Sequence, residues 1–266
     1  MPPLPRLRTL HLYSAPLSGC SARVKTALYL KRIPDTVPLT ITDISMANAQ
    51  DRSEEYLALN PNGSVPTLVA DFEDSLDGTS RISSGIRSGT RSGTSENGPR
   101  RLTITQSPAI LSFLEDFFPA RPLLPPLSEH HARARALEIA SLVACDVQPP
   151  QNSRIRRRIG EEFGGDGEVW ARWVYRRGLG VVERLLSRGL SAGAGGGRYC
   201  VGDEVTVADV FLVPAVQGAL RVGVDVLGTG DGGGGEWPLA KGVVERCWEL
   251  EAFRKGGLRG HGRLVP

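Results

Sequence analysis

The sequence predicts a mixed strand–helix domain followed by an all-helical domain. Three observations carry this. Residues 9–118 alternate strand-like and helix-like runs. A proline-rich stretch at 119–127 then breaks the pattern. Beyond it, from 128 to 266, apolar residues recur at helical spacing with no strong strand signal.

Residues 9–14 form the first expected strand and 21–31 the first helix, with Val24, Ala27, Leu28 and Lys31 on one face. Residues 37–43 alternate in part and read as a second strand, and 47–57 as a short helix. Asn60-Pro-Asn-Gly63 is a turn signal. Residues 64–70 then read as a strand with Pro66 near its start. Leu102-Thr-Ile-Thr105 is a further strand, and 107–118 a helix. Pro108 suits its first turn, where an N–H has no partner anyway. The order over 9–118 is strand, helix, strand, helix, strand, strand, helix. Residues 1–8 are expected to be a disordered N-terminus. Residues 73–101 are more than half Gly, Ser or Thr and repeat Arg-Ser-Gly-Thr in tandem. Such a segment cannot bury enough apolar surface to offset its ordering entropy, so a flexible insertion is expected. In the second domain, helices are expected at 128–146, 170–188, 207–220 and 242–253, with Gly-rich breaks at 193–197 and 228–235. Thr206 and Asp209 form a pair that should cap the third of these. Trp170, Trp173 and Trp248 are expected in the core.

Composition excludes several classes. The chain has 266 residues, 40% hydrophobic and 23% charged, as an ordinary globular protein does. A net charge of +3 argues for neither nucleic acid nor a membrane surface. Cys20, Cys145, Cys200 and Cys247 form no CxxC pair, which speaks against a zinc ribbon or disulfide scaffold and for a reducing compartment. No apolar run approaches a membrane span. The first residues, Met-Pro-Pro-Leu-Pro-Arg-Leu-Arg, lack the apolar core of a secretory signal. The expected location is the cytoplasm. His11, His130, His131 and His261 show no ligand spacing, and no metal is assigned.

The chemistry concentrates in Ser18-Gly-Cys-Ser-Ala-Arg-Val-Lys25, where the first strand gives way to the first helix. A helix N-terminus offers unpaired N–H groups and the positive end of the helix dipole, and a thiolate is favoured there. The sulfur could be that of Cys20 or of a bound thiol; the alternative is that Ser18 merely caps the helix. Gln106 and Ser107 open a later helix in the same manner. Arg154-Ile-Arg-Arg-Arg158 reads as a solvated helix face, or as a lure for a dianionic substrate.

Six stretches in order resemble the soluble glutathione transferases. Ser18-Gly-Cys-Ser-Ala-Arg-Val24 follows S-x-C-S-x-R-V, and Asn60-Pro-Asn-Gly-Ser-Val-Pro-Thr-Leu68 resembles N-P-x-x-x-V-P-T-L. Leu102-Thr-Ile-Thr-Gln-Ser-Pro-Ala-Ile110 resembles the strand–Q-S–helix motif. Asp146-Val-Gln-Pro-Pro-Gln-Asn152 resembles I-Q-P-x-Q-N, and Trp170-Ala-Arg-Trp-Val174 the helix that follows. Tyr199-Cys-Val-Gly-Asp-Glu-Val-Thr-Val-Ala-Asp209 resembles G-D-x-x-T-x-A-D. The first and fourth together point to the zeta class, the maleylacetoacetate isomerases. The resemblance implies an α/β thioredoxin-like N-terminal domain over 9–118, a linker at 119–127 and an all-α substrate-binding domain over 128–266. It implies glutathione as cofactor and a homodimer. It makes Ser18 catalytic with Cys20 in support. It places Val65, Pro66, Gln106, Ser107 and Gln148 on glutathione, with a cis bond before Pro66. Gln151 and Asn152 accompany Gln148, and Arg176 or Arg177 could meet a substrate carboxylate. Gly19 and Ser64 depart from the family's usual serine and its glutamine or lysine. The implied reaction is glutathione-dependent isomerisation of maleylacetoacetate to fumarylacetoacetate in tyrosine and phenylalanine breakdown. The alternatives are conjugation of small electrophiles such as α-haloacids and a non-catalytic scaffold.

Overall fold

The computed structural model describes residues 5–73, 100–191, 197–228 and 235–258. The first strand, β1 (Leu7–Ser14), buries Leu10 and Leu12 and pairs on both sides. It runs parallel to β2 (Leu39–Asp43) and antiparallel to β3 (Thr67–Phe72). The antiparallel partner of β3 is β4 (Arg100–Thr105), so the sheet order is β2-β1-β3-β4. β1 starts two residues before the expected Thr9, because Leu7 pairs with Phe72 beyond a register shift. β4 likewise takes in Arg100 and Arg101, expected in the insertion; Arg101 Nε donates to Asp71 Oδ1 at 2.7 Å. The rest of that expected insertion, 74–99, lies outside the described residues.

Helix α1 (Gly19–Leu30) follows β1, capped by Ser18, whose Oγ accepts from the Ser21 N–H at 3.1 Å. The expected helix over 47–57 is broken. Ser53 is extended, and its Oγ accepts from the Tyr56 N–H at 3.2 Å, which starts α2 (Glu54–Leu59) afresh. Helix α3 (Ser107–Phe117) closes this half.

The second half holds no strand among the described residues. Helix α4 (His130–Leu142) runs into a π turn at Val143–Val147. Helix α5 (Ser153–Phe163) carries the basic run and buries no residue; Ile155, Ile159 and Phe163 share one of its faces, with Ile155 and Phe163 exposed. Then come α6 (Gly167–Ser191), α7 (Val207–Arg221), α8 (Pro238–Glu249) and α9 (Glu251–Lys255). The expected single helix over 242–253 divides at Leu250, where the backbone is extended. α7 is the hub, packed against α1, α4 and α8. Asp209 holds its start: the carboxylate accepts from the Thr206 N–H at 2.8 Å, the Thr206 hydroxyl at 3.1 Å and the Cys200 N–H at 2.8 Å. Trp248 is buried as expected, but Trp170 and Trp173 stack on each other at the surface, with centroids 5.2 Å apart. Trp170 Nε1 donates to the Pro150 carbonyl at 2.8 Å, so its polar edge is met outside the core.

Lys31 fastens α1 to α3 and to the linker that follows it. Its Nζ lies 2.8 Å from Glu115 Oε2 and 2.8 Å from the Arg121 carbonyl. Glu115 in turn accepts from the Leu123 and Leu124 N–H groups. The N-terminal end of α1 lies against Gln148, at the end of the π turn, and Pro214 of α7, and Arg23 of α1 reaches Ser107 at the start of α3; the space these bound is the candidate cleft.

Candidate active site

Ser18 is half-buried at the mouth of α1. Capping uses one lone pair of its Oγ and leaves the O–H free to donate outward, so capping and chemistry are compatible. Cys20, two residues on within the first turn, is also half-buried. The Val65–Pro66 bond is cis. The β3 ladder begins only at Thr67, so the Val65 backbone stands outside it. A buried polar network fixes this turn. Tyr56 and Asn60 both donate to the Ser64 carbonyl, at 2.7 and 2.6 Å, and Asn60 also reaches Thr67 Oγ1 at 3.0 Å. Gly63 turns with φ +52, and a Cβ there would stand 2.8 Å from the Asp51 carbonyl. Gln106 is held at φ 71, a conformation that costs a non-glycine residue on the order of 1–3 kcal/mol. Ser107 follows at the first position of α3, nearly fully buried.

From the helical half, the π turn delivers Gln148. Its Oε1 would lie 3.4 Å from a Cβ on Gly19, so it hangs over the start of α1. The rest of the motif is support: Gln151 Nε2 donates to the Gln148 carbonyl at 3.2 Å, and Asn152 Oδ1 caps α5 at the Arg154 N–H, 3.0 Å. Arg154 Nη2 crosses to the carbonyls of Asn62 (2.8 Å) and Gly63, tying α5 to the turn before Val65.

The structure therefore brings Ser18, Cys20 and Gln148 to one end of the cleft. Arg23 links that end to Ser107: its Nη1 is 3.8 Å from Cys20 Sγ and 3.3 Å from Ser107 Oγ. Arg176 is placed elsewhere. It pairs with Glu236 and stacks over Trp237, with Cζ 5.6 Å from the ring, and both partners of the ion pair are half-exposed. Its neighbour on α6, Tyr175, faces inward and is buried. Burial pushes the Tyr175 phenol up to about 12, opposed by the charges of Arg156, Arg221 and Arg23. It stays a neutral donor at physiological pH. Arg221, at the end of α7, donates to the Leu17 carbonyl at 2.8 Å, just before Ser18.

Sequence reasoning missed Arg23, Tyr175 and Arg221 as site residues. The S-x-C-S-x-R-V pattern contained Arg23 but said nothing of its burial. The other two carry no local signal. Arg221 at the Leu17 carbonyl and Arg23 behind Cys20 and Ser107, beside the starts of α1 and α3, suit an anionic ligand bearing a thiol and carboxylates. Among the described residues, no group of three or more His, Cys, Asp or Glu could hold a metal ion.

The model for the glutathione S-transferase N-terminal domain matches residues 17–116, and that for the C-terminal domain matches 174–251. The chain belongs to the glutathione S-transferase family. A probable glutathione S-transferase of Coccidioides immitis is 38% identical over 92% of this chain and 90% of its own length. A maleylacetoacetate isomerase of Emericella nidulans is 34% identical over 93% and 91%. Among solved structures, a bacterial zeta-class glutathione S-transferase, maleylpyruvate isomerase in its holo form, superposes with TM-score 0.70 at 30% identity, covering 92% of this chain and 95% of that one. The maleylacetoacetate isomerase of Anaeromyxobacter dehalogenans, with glutathione bound in its active site, gives 0.70 at 28% identity, over 95% and 96%. These comparisons bear out the zeta-class resemblance and the two-part glutathione S-transferase fold read from the motifs. No helix among the described residues is long and apolar enough to cross a membrane.

Proposed function

We propose that this glutathione S-transferase is a glutathione-dependent isomerase that converts maleylacetoacetate to fumarylacetoacetate in tyrosine and phenylalanine breakdown. One observation carries the reading. Ser18 and Cys20, at the α1 N-terminus, lie beside Gln148, with Arg23 3.8 Å from Cys20 Sγ and Arg221 donating to the carbonyl of Leu17. The residues fit glutathione: two helix N-termini face the cleft, and a buried guanidinium beside them has N–H groups to spare.

Bound glutathione would supply a thiolate that adds reversibly to the conjugated double bond, so that rotation about the resulting single bond turns cis into trans. Ser18 donates its O–H to hold the thiolate, with the α1 dipole in support. The Val65 backbone would take the cysteinyl part, and Gln106 and Ser107 the γ-glutamyl carboxylate. Gln148 would steady the peptide near Gly19. Arg221 and the neutral Tyr175 would meet the substrate's carboxylate and the charge that develops on its dicarbonyl. A homodimer and a cytoplasmic location belong to this reading and rest on the family resemblance.

The test is isomerisation of maleylacetone with and without glutathione, in wild type and Ser18→Ala. Turnover should require glutathione and fall by about 100-fold or more in the variant, the usual range for losing a donor at a developing anion. Glutathione binding without turnover would move the assignment to conjugation of small electrophiles.

A further inference from the structure

Two cations lie buried on α1, and they are treated differently. Lys31 is neutralised in the ordinary way, by Glu115 and a carbonyl. Arg23, 1% exposed, has no carboxylate beside it among the described residues; its electrostatic neighbours are Cys20 on its own helix and Tyr175 on α6. Its plane lies on the Phe211 ring of α7, with Cζ 4.3 Å from the centroid. Nη1 reaches Cys20 Sγ and Ser107 Oγ, while Nε and Nη2 meet no hydrogen-bond partner among the described residues. A buried charge left without a counter-ion lowers stability, and a buried donor left unmet lowers it further. Such groups persist where a ligand needs them.

The geometry says what the need is. Ser107 Oγ accepts from Arg23, so its own proton is free to point away, toward the cleft. The same guanidinium sits behind Cys20 at the α1 mouth. One side chain thus backs both ends of the site, Ser107 lying 84 residues beyond Arg23 in sequence. We infer that Arg23 is a positioning residue: it orients Ser107 as a donor toward the γ-glutamyl carboxylate and lends positive charge to the thiol end, bound glutathione being the counter-ion it lacks. This rests on the reading of the cleft as a glutathione site.

The experiment compares wild type, Arg23→Met and Arg23→Lys by three readouts: thermal midpoint without ligand, glutathione affinity by calorimetry, and the ultraviolet titration of the bound thiolate. Arg23→Met keeps the packing on Phe211 and deletes the unpaired charge. Its midpoint should equal or exceed that of wild type. Its glutathione affinity should fall about tenfold, the scale of a charged hydrogen bond. Its bound thiol should titrate about one unit higher, as expected when a nearby cation is removed. Arg23→Lys should restore the thiol titration while affinity stays low, because an ammonium lacks the fork that reaches Ser107. Arg23→Met that fails to fold, or that matches wild type in affinity and titration, would overturn the inference alone. Wild type that binds no glutathione would overturn the reading of the site and this inference with it.

Discussion

Gln148 lays its Oε1 3.4 Å from where a Cβ on Gly19 would stand, and Pro214 of α7 closes the same position from the other side at 3.6 Å. That is ordinary van der Waals distance, so a small side chain fits and a large one does not. Gly19 is where the family usually carries serine. Gly19→Ser should fold, gain about 0.5 kcal/mol from replacing a helical glycine, and bind glutathione a few-fold more tightly. Gly19→Leu should displace Gln148 and weaken binding. Calorimetry on the three proteins checks the order; a serine variant that binds worse than the leucine variant would contradict the geometry.

Arg221 and Arg176 should part company in kinetics. Arg221 donates to the Leu17 carbonyl at the site mouth, whereas Arg176 is spent on an exposed pair with Glu236. Exposed pairs contribute under about 1 kcal/mol. Arg176→Ala should leave KM for the dicarboxylate within about twofold and stability within about 0.5 kcal/mol. Arg221→Ala should raise that KM about tenfold or more, the loss expected for a charged hydrogen bond. Steady-state rates with maleylacetone as the varied substrate separate them. Equal effects in both variants would remove Arg221 from the site.

Tyr175 predicts an alkaline weakness. Its folded phenol titrates near 12 because burial penalises the phenolate, while the unfolded phenol titrates near 10. The sign follows from linkage. The buried neutral phenol costs nothing below pH ~10; as pH rises from ~10 to ~12 the unfolded state gains by ionising and the folded state does not, so stability falls. The loss is on the order of 2 kcal/mol. Denaturant midpoints measured from pH 9 to 12 should drop more in wild type than in Tyr175→Phe. Parallel curves would show that this phenol does not govern the alkaline limb.

The parts of the site legible in the sequence were those built by neighbours along the chain. Ser18 before α1, Asn60-Pro-Asn-Gly63 before Val65-Pro66, and Gln106-Ser107 at the start of α3 are helix starts and turns, whose physics is complete within a few residues. The family motifs added the order of these pieces. The basic run of α5 was legible as a solvated helix face, though the bounds of the helix were not, and the expected helix over 47–57 breaks because Ser53 ends one helical turn and caps the next. Trp170 and Trp173 show the limit of the helical spacing: it says which residues share a face, not which way that face looks.

The sequence alone determined the two-part architecture, the positions of the helix starts that line the cleft, and the family. The architecture and the helix starts depend on local propensity and periodicity, and the family on the resemblance of six motifs in order. Only the tertiary structure decided which charges are spent and which remain available. Arg176 met Glu236, 60 residues on, and Lys31 met Glu115, 84 residues on, while Arg23 met, among the described residues, Cys20, Ser107 and an aromatic face. Arg221 reached a carbonyl 204 residues before it. The energy of a charge is set by what surrounds it in space, and one-dimensional spacing holds no record of that.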